Sequence, residues 1–220
     1  MRIAILAAFA VALAGCGGKS DSAPTTTAAE TTAAPTVHGC TTVTQPDPER
    51  RSAPKPTKAL DPAKTYDVRF STNCGSFTIR LASKTAPKTA ASVASLVQHG
   101  FYDRTIFHRI VPGFVIQGGD PTASGTGGPG YTVIEAPPAS TKYTLGVAAM
   151  AKAPSEPAGA SGSQFFVVTA PNANLPPQYA LMGKVVAGLP VVKRIGLLGD
   201  AASQQPTAIV EIRKATLVVH

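Results

Sequence analysis

From Thr65 onward the chain is written in short apolar runs cut by glycine and proline, and this pattern restricts it to a mainly β fold. Tyr66-Asp67-Val68-Arg69-Phe70 alternates apolar and polar side chains, Asn73-Cys74-Gly75 offers a turn, and Phe77-Thr78-Ile79-Arg80-Leu81 alternates again. That is the pattern of a β-hairpin with one buried face. Ala86 to His99 has a helical stripe at Val93, Leu96 and Val97, with Pro87 suited to the first turn and Gly100 to the stop. Further strands are expected at Ile106 to Gln117, Thr144 to Met150, Gln164 to Thr169 and Leu181 to Val186, then a short helix at Leu189 to Leu197 and a closing strand at Ile209 to Val219. Many short strands with two helices predict a closed barrel or a sandwich.

The residues before Thr65 follow other rules. Arg2 precedes an apolar run from Ile3 to Ala14, too short to span a bilayer and fitted to a secretory signal. The run ends in Leu13-Ala14-Gly15-Cys16, which resembles the lipobox of bacterial lipoproteins. Residues 1–15 then read as a signal peptide, with Cys16 as the lipidated N-terminus that anchors the chain to the bacterial cell membrane, facing outward. Residues 16–64 are rich in Thr, Ala, Ser and Pro, with no apolar period, and read as a low-complexity tether. Export implies an oxidising compartment, so the two remaining cysteines, Cys40 and Cys74, are expected to pair. The bridge would clamp part of the tether to a hairpin turn at the surface. Two thiols without further ligands nearby do not suggest a metal site. The formal net charge of +8 comes from scattered Lys and Arg, with no run of the kind that binds nucleic acid.

Within residues 65–220 several motifs occur in a specific order. Thr85-Ala86-Pro87-Lys88-Thr89 and Gly100-Phe101-Tyr102-Asp103 lead into Phe107-His108-Arg109, Pro112-Gly113-Phe114 and Gln117-Gly118-Gly119-Asp120. Gly125-Thr126-Gly127-Gly128, Met150-Ala151-Lys152-Ala153, Gly162-Ser163-Gln164-Phe165-Phe166 and Gly183-Lys184-Val185 follow. Together they resemble the cyclophilins. The resemblance implies a closed eight-stranded antiparallel barrel capped by two helices, peptidyl-prolyl cis/trans isomerase activity, and no cofactor.

The chemistry suits the residue types. An X-Pro bond rotates over a barrier of about 18–20 kcal/mol without any covalent bond breaking, so neither nucleophile nor metal is required. In the twisted state the prolyl nitrogen becomes pyramidal and accepts a hydrogen bond. A planar cation placed there stabilises the twisted state above either flat one. The resemblance assigns that role to Arg109, supported by Gln117 eight residues on, which shares its face if the strand stays regular. It assigns substrate contacts to Phe114, Val115, Ala151, Lys152, Gln164, Phe166, Leu175 and Tyr179. His108 and Asp120 read as structural, and the Gly125 to Gly130 run as a tight loop beside the groove, since it lacks the Lys-Ser/Thr of a phosphate cradle.

The chain departs from the well-known members in four places. It has no tryptophan. By register Asn174 stands in the tryptophan position, Tyr179 replaces a proline-facing histidine, and Lys152 stands where asparagine is usual. Pro154 to Ser161 is an insertion. The expected function is isomerisation of exported, proline-containing polypeptides by a monomer at the outer face of the membrane. The alternative is a non-catalytic module of the same fold that grips proline-containing loops.

Overall fold

The computed structural model describes residues 36–220, so the signal peptide and Cys16 lie outside the described residues. Two short paired strands come first, β1 (Thr36–Val37) and β2 (Cys40–Thr41). The predicted hairpin follows as β3 (Tyr66–Thr72) and β4 (Gly75–Leu81), paired from Asp67–Arg80 to Thr72–Gly75. Its alternation sends Val68, Phe70, Phe77 and Ile79 into the core. Helix α1 (Pro87–Gln98) starts on its proline and stops before Gly100, whose φ is +66°. It has no side-chain cap of its own. Instead the carboxylate of Glu135 accepts hydrogen bonds from the Lys88 and Thr89 backbone N–H groups at 3.1 and 2.7 Å, where the helix carries partial positive charge.

Next come β5 (Thr105–Ile106), β6 (Arg109–Val111), β7 (Val115–Gly118), β8 (Val133–Ile134), β9 (Val147–Met150), β10 (Ala160–Ser161) and β11 (Phe165–Val168). Strand β12 (Leu181–Ala187), helix α2 (Leu189–Gly196) and strand β13 (Glu211–Val219) complete the chain. Nine of the strands form one antiparallel sheet in the order β5-β13-β3-β4-β12-β9-β11-β7-β6. The ladder is therefore longer than the eight strands expected, and it is not hydrogen-bonded into a closed ring. The isolated bridge Ile106–Asp120 links the β5 edge to the residues just past β7, which gives a curled, nearly closed sheet. Alternating runs mark where strands lie. They carry no information on whether the first and last strands pair. Helix α1 packs against β13 and β12, and α2 against β4 and β7.

Cys40 and Cys74 form a disulfide across a sequence separation of 34. Cys74 is buried, not at the surface as its turn position suggested. Cys40 covers it on one side, and Arg194 of α2 donates to its carbonyl at 3.0 Å. Residues 42–65 have no strand or helix, but they do not run free to position 64. The backbone N–H of Glu49 donates to Pro121 O, that of Ala53 to Pro129 O, and Arg51 Nη1 to the carbonyls of Phe101 and Asp103. Ala53 and Leu60 pack against the core. This part of the expected tether is a strap bound to the domain. Its bonds are to backbone, which requires no apolar period and leaves no signal in composition.

Candidate active site

Arg109 and Gln117 do share a face, but not along one regular strand. Pro112 and Gly113, the latter at φ +69°, turn the chain between β6 and β7, and Arg109 pairs directly with Gln117 across the hairpin. Directly paired residues in antiparallel strands point to the same side. The pairing continues outward: Gln117 with Phe166 on β11, then Phe166 with Ala149 on β9. A row of side chains crosses the sheet, from a cation, through an amide, to an aromatic ring.

The polar end of this row is tightly connected. Arg109, half-buried, donates from Nε to Gln204 Oε1 at 2.7 Å and from Nη1 to Gln117 Oε1 at 3.2 Å. Gln117 Nε2 donates to Gln164 Oε1 at 3.2 Å, and Gln164 Nε2 to Gly127 O at 3.0 Å. The relay runs from the loop after α2, through the arginine, to the Gly-rich loop. Sequence reading missed Gln204. It lies 95 residues from Arg109 in a loop with no pattern, and its own φ of +61° gives no signature in a non-glycine residue.

The apolar end is a second hydrophobic cluster, separate from the main core. Val115, Tyr143, Ala149, Phe166, Val168 and Ala170 are buried in it, and Phe114, Ala151, Leu175 and Tyr179 pack on it half-exposed. Phe166 and Tyr179 meet edge to face at 5.4 Å between centroids. The hydroxyl of Tyr143, also unnoticed in the sequence, donates to Tyr179 O at 2.6 Å and accepts from Tyr179 N–H at 3.0 Å, and so fixes that loop. Lys152 Nζ lies 5.9 Å from the Tyr179 ring centroid and donates to the carbonyls of Ala153 and Glu156. Asn174 sits in the turn ahead of Leu175 at φ +51°, its N–H bonded to Asn172 Oδ1.

Two neighbouring groups are organised differently. Asp120 is fully buried, and burial alone would raise its pKa. Hydrogen bonds from the Thr122 hydroxyl and from the Gly127, Thr122 and Gly125 N–H groups outweigh this and hold the carboxyl below its usual range. It shapes the Gly-rich loop from inside. A side chain at Gly127 would run into that carboxylate. His108 is buried, with neither ring nitrogen hydrogen-bonded among the described residues. Burial, helped by the Arg109 charge and opposed by Asp120, holds its pKa below the ordinary value, which keeps it neutral.

Residues 67–217 match the family of cyclophilin type peptidyl-prolyl cis-trans isomerases/CLD. The chain belongs to this family. It is 40% identical over 155 residues to peptidyl-prolyl cis-trans isomerase-like 1 of Aspergillus oryzae, across 69% of this chain and 95% of the relative. It is 37% identical over 151 residues to peptidyl-prolyl cis-trans isomerase ppi1 of Schizosaccharomyces pombe, across 68% of this chain and 97% of that one. Among solved structures it resembles a cyclophilin type peptidyl-prolyl cis-trans isomerase of Cryptosporidium parvum, crystallised in the presence of the dipeptide Ala-Pro. That match has a TM-score of 0.62 and 33% identity, and it covers 70% of this chain and 98% of the other. The chain is thus a cyclophilin-family isomerase, and the match leaves the strap and everything before it outside.

Proposed function

We propose that this cyclophilin isomerises X-Pro bonds in exported polypeptides, as a monomer held at the outer face of the bacterial membrane by lipid on Cys16. Arg109 is the catalytic donor. The observation that carries this role is the placement of its guanidinium, held by glutamines at Nε and Nη1 at the edge of an open aromatic cluster. The pyrrolidine ring of a substrate proline would rest on Phe114, Val115, Phe166, Leu175 and Tyr179. A related cyclophilin crystallised with Ala-Pro supports a proline-containing ligand. With the ring seated, rotation of the preceding carbonyl brings the pyramidal nitrogen toward Arg109. The donors are already oriented, so little reorganisation opposes the step. Gln117 and Gln204 act through Arg109 as positioning residues, while Gln164, Ala151 and Lys152 border the substrate backbone. The apolar leader and the disulfide support an exported location.

Exchange NMR on an Ala-Pro peptide tests the chemistry. The full chain is expected to accelerate isomerisation, and Arg109→Ala to lower kcat/KM at least about tenfold, equivalent to about 1.4 kcal/mol. A variant with normal turnover would remove Arg109 from the reaction. Cys16→Ala tests the anchor separately: the protein is expected to leave the membrane fraction, and one that stays there refutes the lipid attachment.

A further inference from the structure

Beside the Arg109 relay lies an open cavity of about 890 Å³. Gln117 and Gln164 border it, so any occupant sits next to the groups that hold the catalytic arginine. One wall is the Gly-rich loop. Part of the rim is the strap, which reaches the cavity through Arg50 and Arg51. The family match begins at residue 67, so these two arginines lie outside the matched residues.

The strap is fixed where it lines the cavity. Arg51 is fully committed: its guanidinium bonds to Glu49 at 2.8 Å and to the Phe101 and Asp103 carbonyls at 2.9 and 2.6 Å. On either side of Arg50 and Arg51, Glu49 N–H bonds to Pro121 O just ahead of the Gly-rich loop and Ala53 N–H to Pro129 O within it, and Lys55 Nζ donates to Thr132 O. Arg50 sits within this pinned segment with an exposed side chain that enters no ion pair among the described residues. Lys152 also lines the cavity, but its ammonium is committed to the carbonyls of Ala153 and Glu156. Among the described residues the one acidic side chain on the lining, Glu156, accepts from the Ala153 N–H at 2.6 Å. The backbone around Arg50 is held and, among the described residues, its charge is free.

We infer that Arg50 of the strap is a specificity-determining residue of this chain: its free charge makes the groove beside the Arg109 relay favour an acidic substrate side chain close to the isomerised proline. The inference rests on the isomerase reading above. A carboxylate entering the cavity would meet the Arg50 guanidinium, while a lysine side chain would meet a like charge. Such pairs are exposed, so the preference is modest and falls as salt screens it.

The test uses the full chain and a set of Ala-Pro peptides carrying Glu, Ala or Lys at each of the three positions on either side of the Ala-Pro pair, with kcat/KM measured by exchange NMR. At low salt at least one position is expected to favour Glu over Lys about fivefold, the size an exposed ion pair allows. The ratio should shrink at high salt. Arg50→Glu should invert it and Arg50→Lys should keep it, with thermal melting confirming that each variant is folded. A ratio near one at every position in the parent protein overturns the inference. So does a ratio that Arg50→Glu leaves unchanged. Failure of the parent protein to isomerise even the all-Ala peptide would instead overturn the isomerase reading.

Discussion

Phe165 and Phe166 are neighbours on β11 and belong to different parts of the molecule. Phe165 points into the main core, where its ring meets Phe70 at 5.2 Å, Tyr102 at 5.6 Å and Phe107 at 6.0 Å. Phe166 points to the other face, into the small cluster with Tyr143 and Tyr179. The same division runs along the neighbouring strands: Ile116 faces the core and Val115 the small cluster, Ala148 the core and Ala149 the cluster. Strand geometry alternates the side chains. What differs is what covers each face. The core face is enclosed by the curled sheet, whereas the other face is left with half-exposed rims at Phe114, Leu175 and Tyr179. A closed apolar face stabilises the fold. An open one offers the same attraction to a ligand.

The largest expected effects test that division. Phe165→Ala should cost about 3–5 kcal/mol of stability, because the enclosed core cannot collapse around the gap. Phe166→Ala should cost about half as much in denaturant melts, since water and the half-exposed rim side chains can fill the space, and it should raise KM for an Ala-Pro peptide. Equal stability losses with KM unchanged would collapse the distinction between the faces. Cys40 and Cys74 belong to the core side. Cys40→Ser should lower stability by up to about 4 kcal/mol in the chain-entropy model, with kcat/KM at 25 °C reduced far less than by Arg109→Ala. On the open face, Gln204→Ala should lower kcat about threefold to tenfold while leaving KM and the melting midpoint nearly unchanged, because Arg109 would still be held at Nη1 by Gln117. A matching rise in KM would mean that Gln204 touches substrate instead of positioning the arginine.

The smallest effect concerns pH. His108 has a folded-state pKa held below its ordinary 6.5. A depressed folded value means that the stability it contributes is present above pH 6.5 and is lost as pH falls from there through the folded pKa. Denaturant midpoints measured between pH 7.5 and 5 should therefore decline, and His108→Gln should flatten that decline without shifting the pH profile of kcat. A shifted kcat profile would give His108 a part in the chemistry.

Much of the fold was readable because it rests on local rules. The β3–β4 hairpin follows from alternation around Asn73-Cys74-Gly75, and α1 from Pro87, a Val93/Leu96/Val97 stripe and Gly100. Motif order singled out Phe114, Val115, Phe166 and Tyr179, which share one cluster in the structure. Other features escaped because they depend on contacts between distant segments. Gln204 reaches Arg109 from a patternless loop, and Tyr143 fixes Tyr179 from the loop ahead of β9. Arg109 and Gln117 were placed on one face for the wrong reason, since a turn and not a continuous strand joins them. The strap was invisible for want of an apolar stripe. A disulfide and a few backbone hydrogen bonds hold it where a hydrophobic face would otherwise be needed.

The disulfide also sets a load path. Tension applied through the residues ahead of Thr36 travels along the chain only as far as Cys40, then crosses the covalent link into Cys74 at the β3–β4 turn. The stretch from Thr41 to Asn73 is bypassed, and with it every hydrogen bond from the strap to the Gly-rich loop. A pull or twist on the N-terminal side is delivered to the sheet at the β3–β4 turn and does not have to pass along the strap.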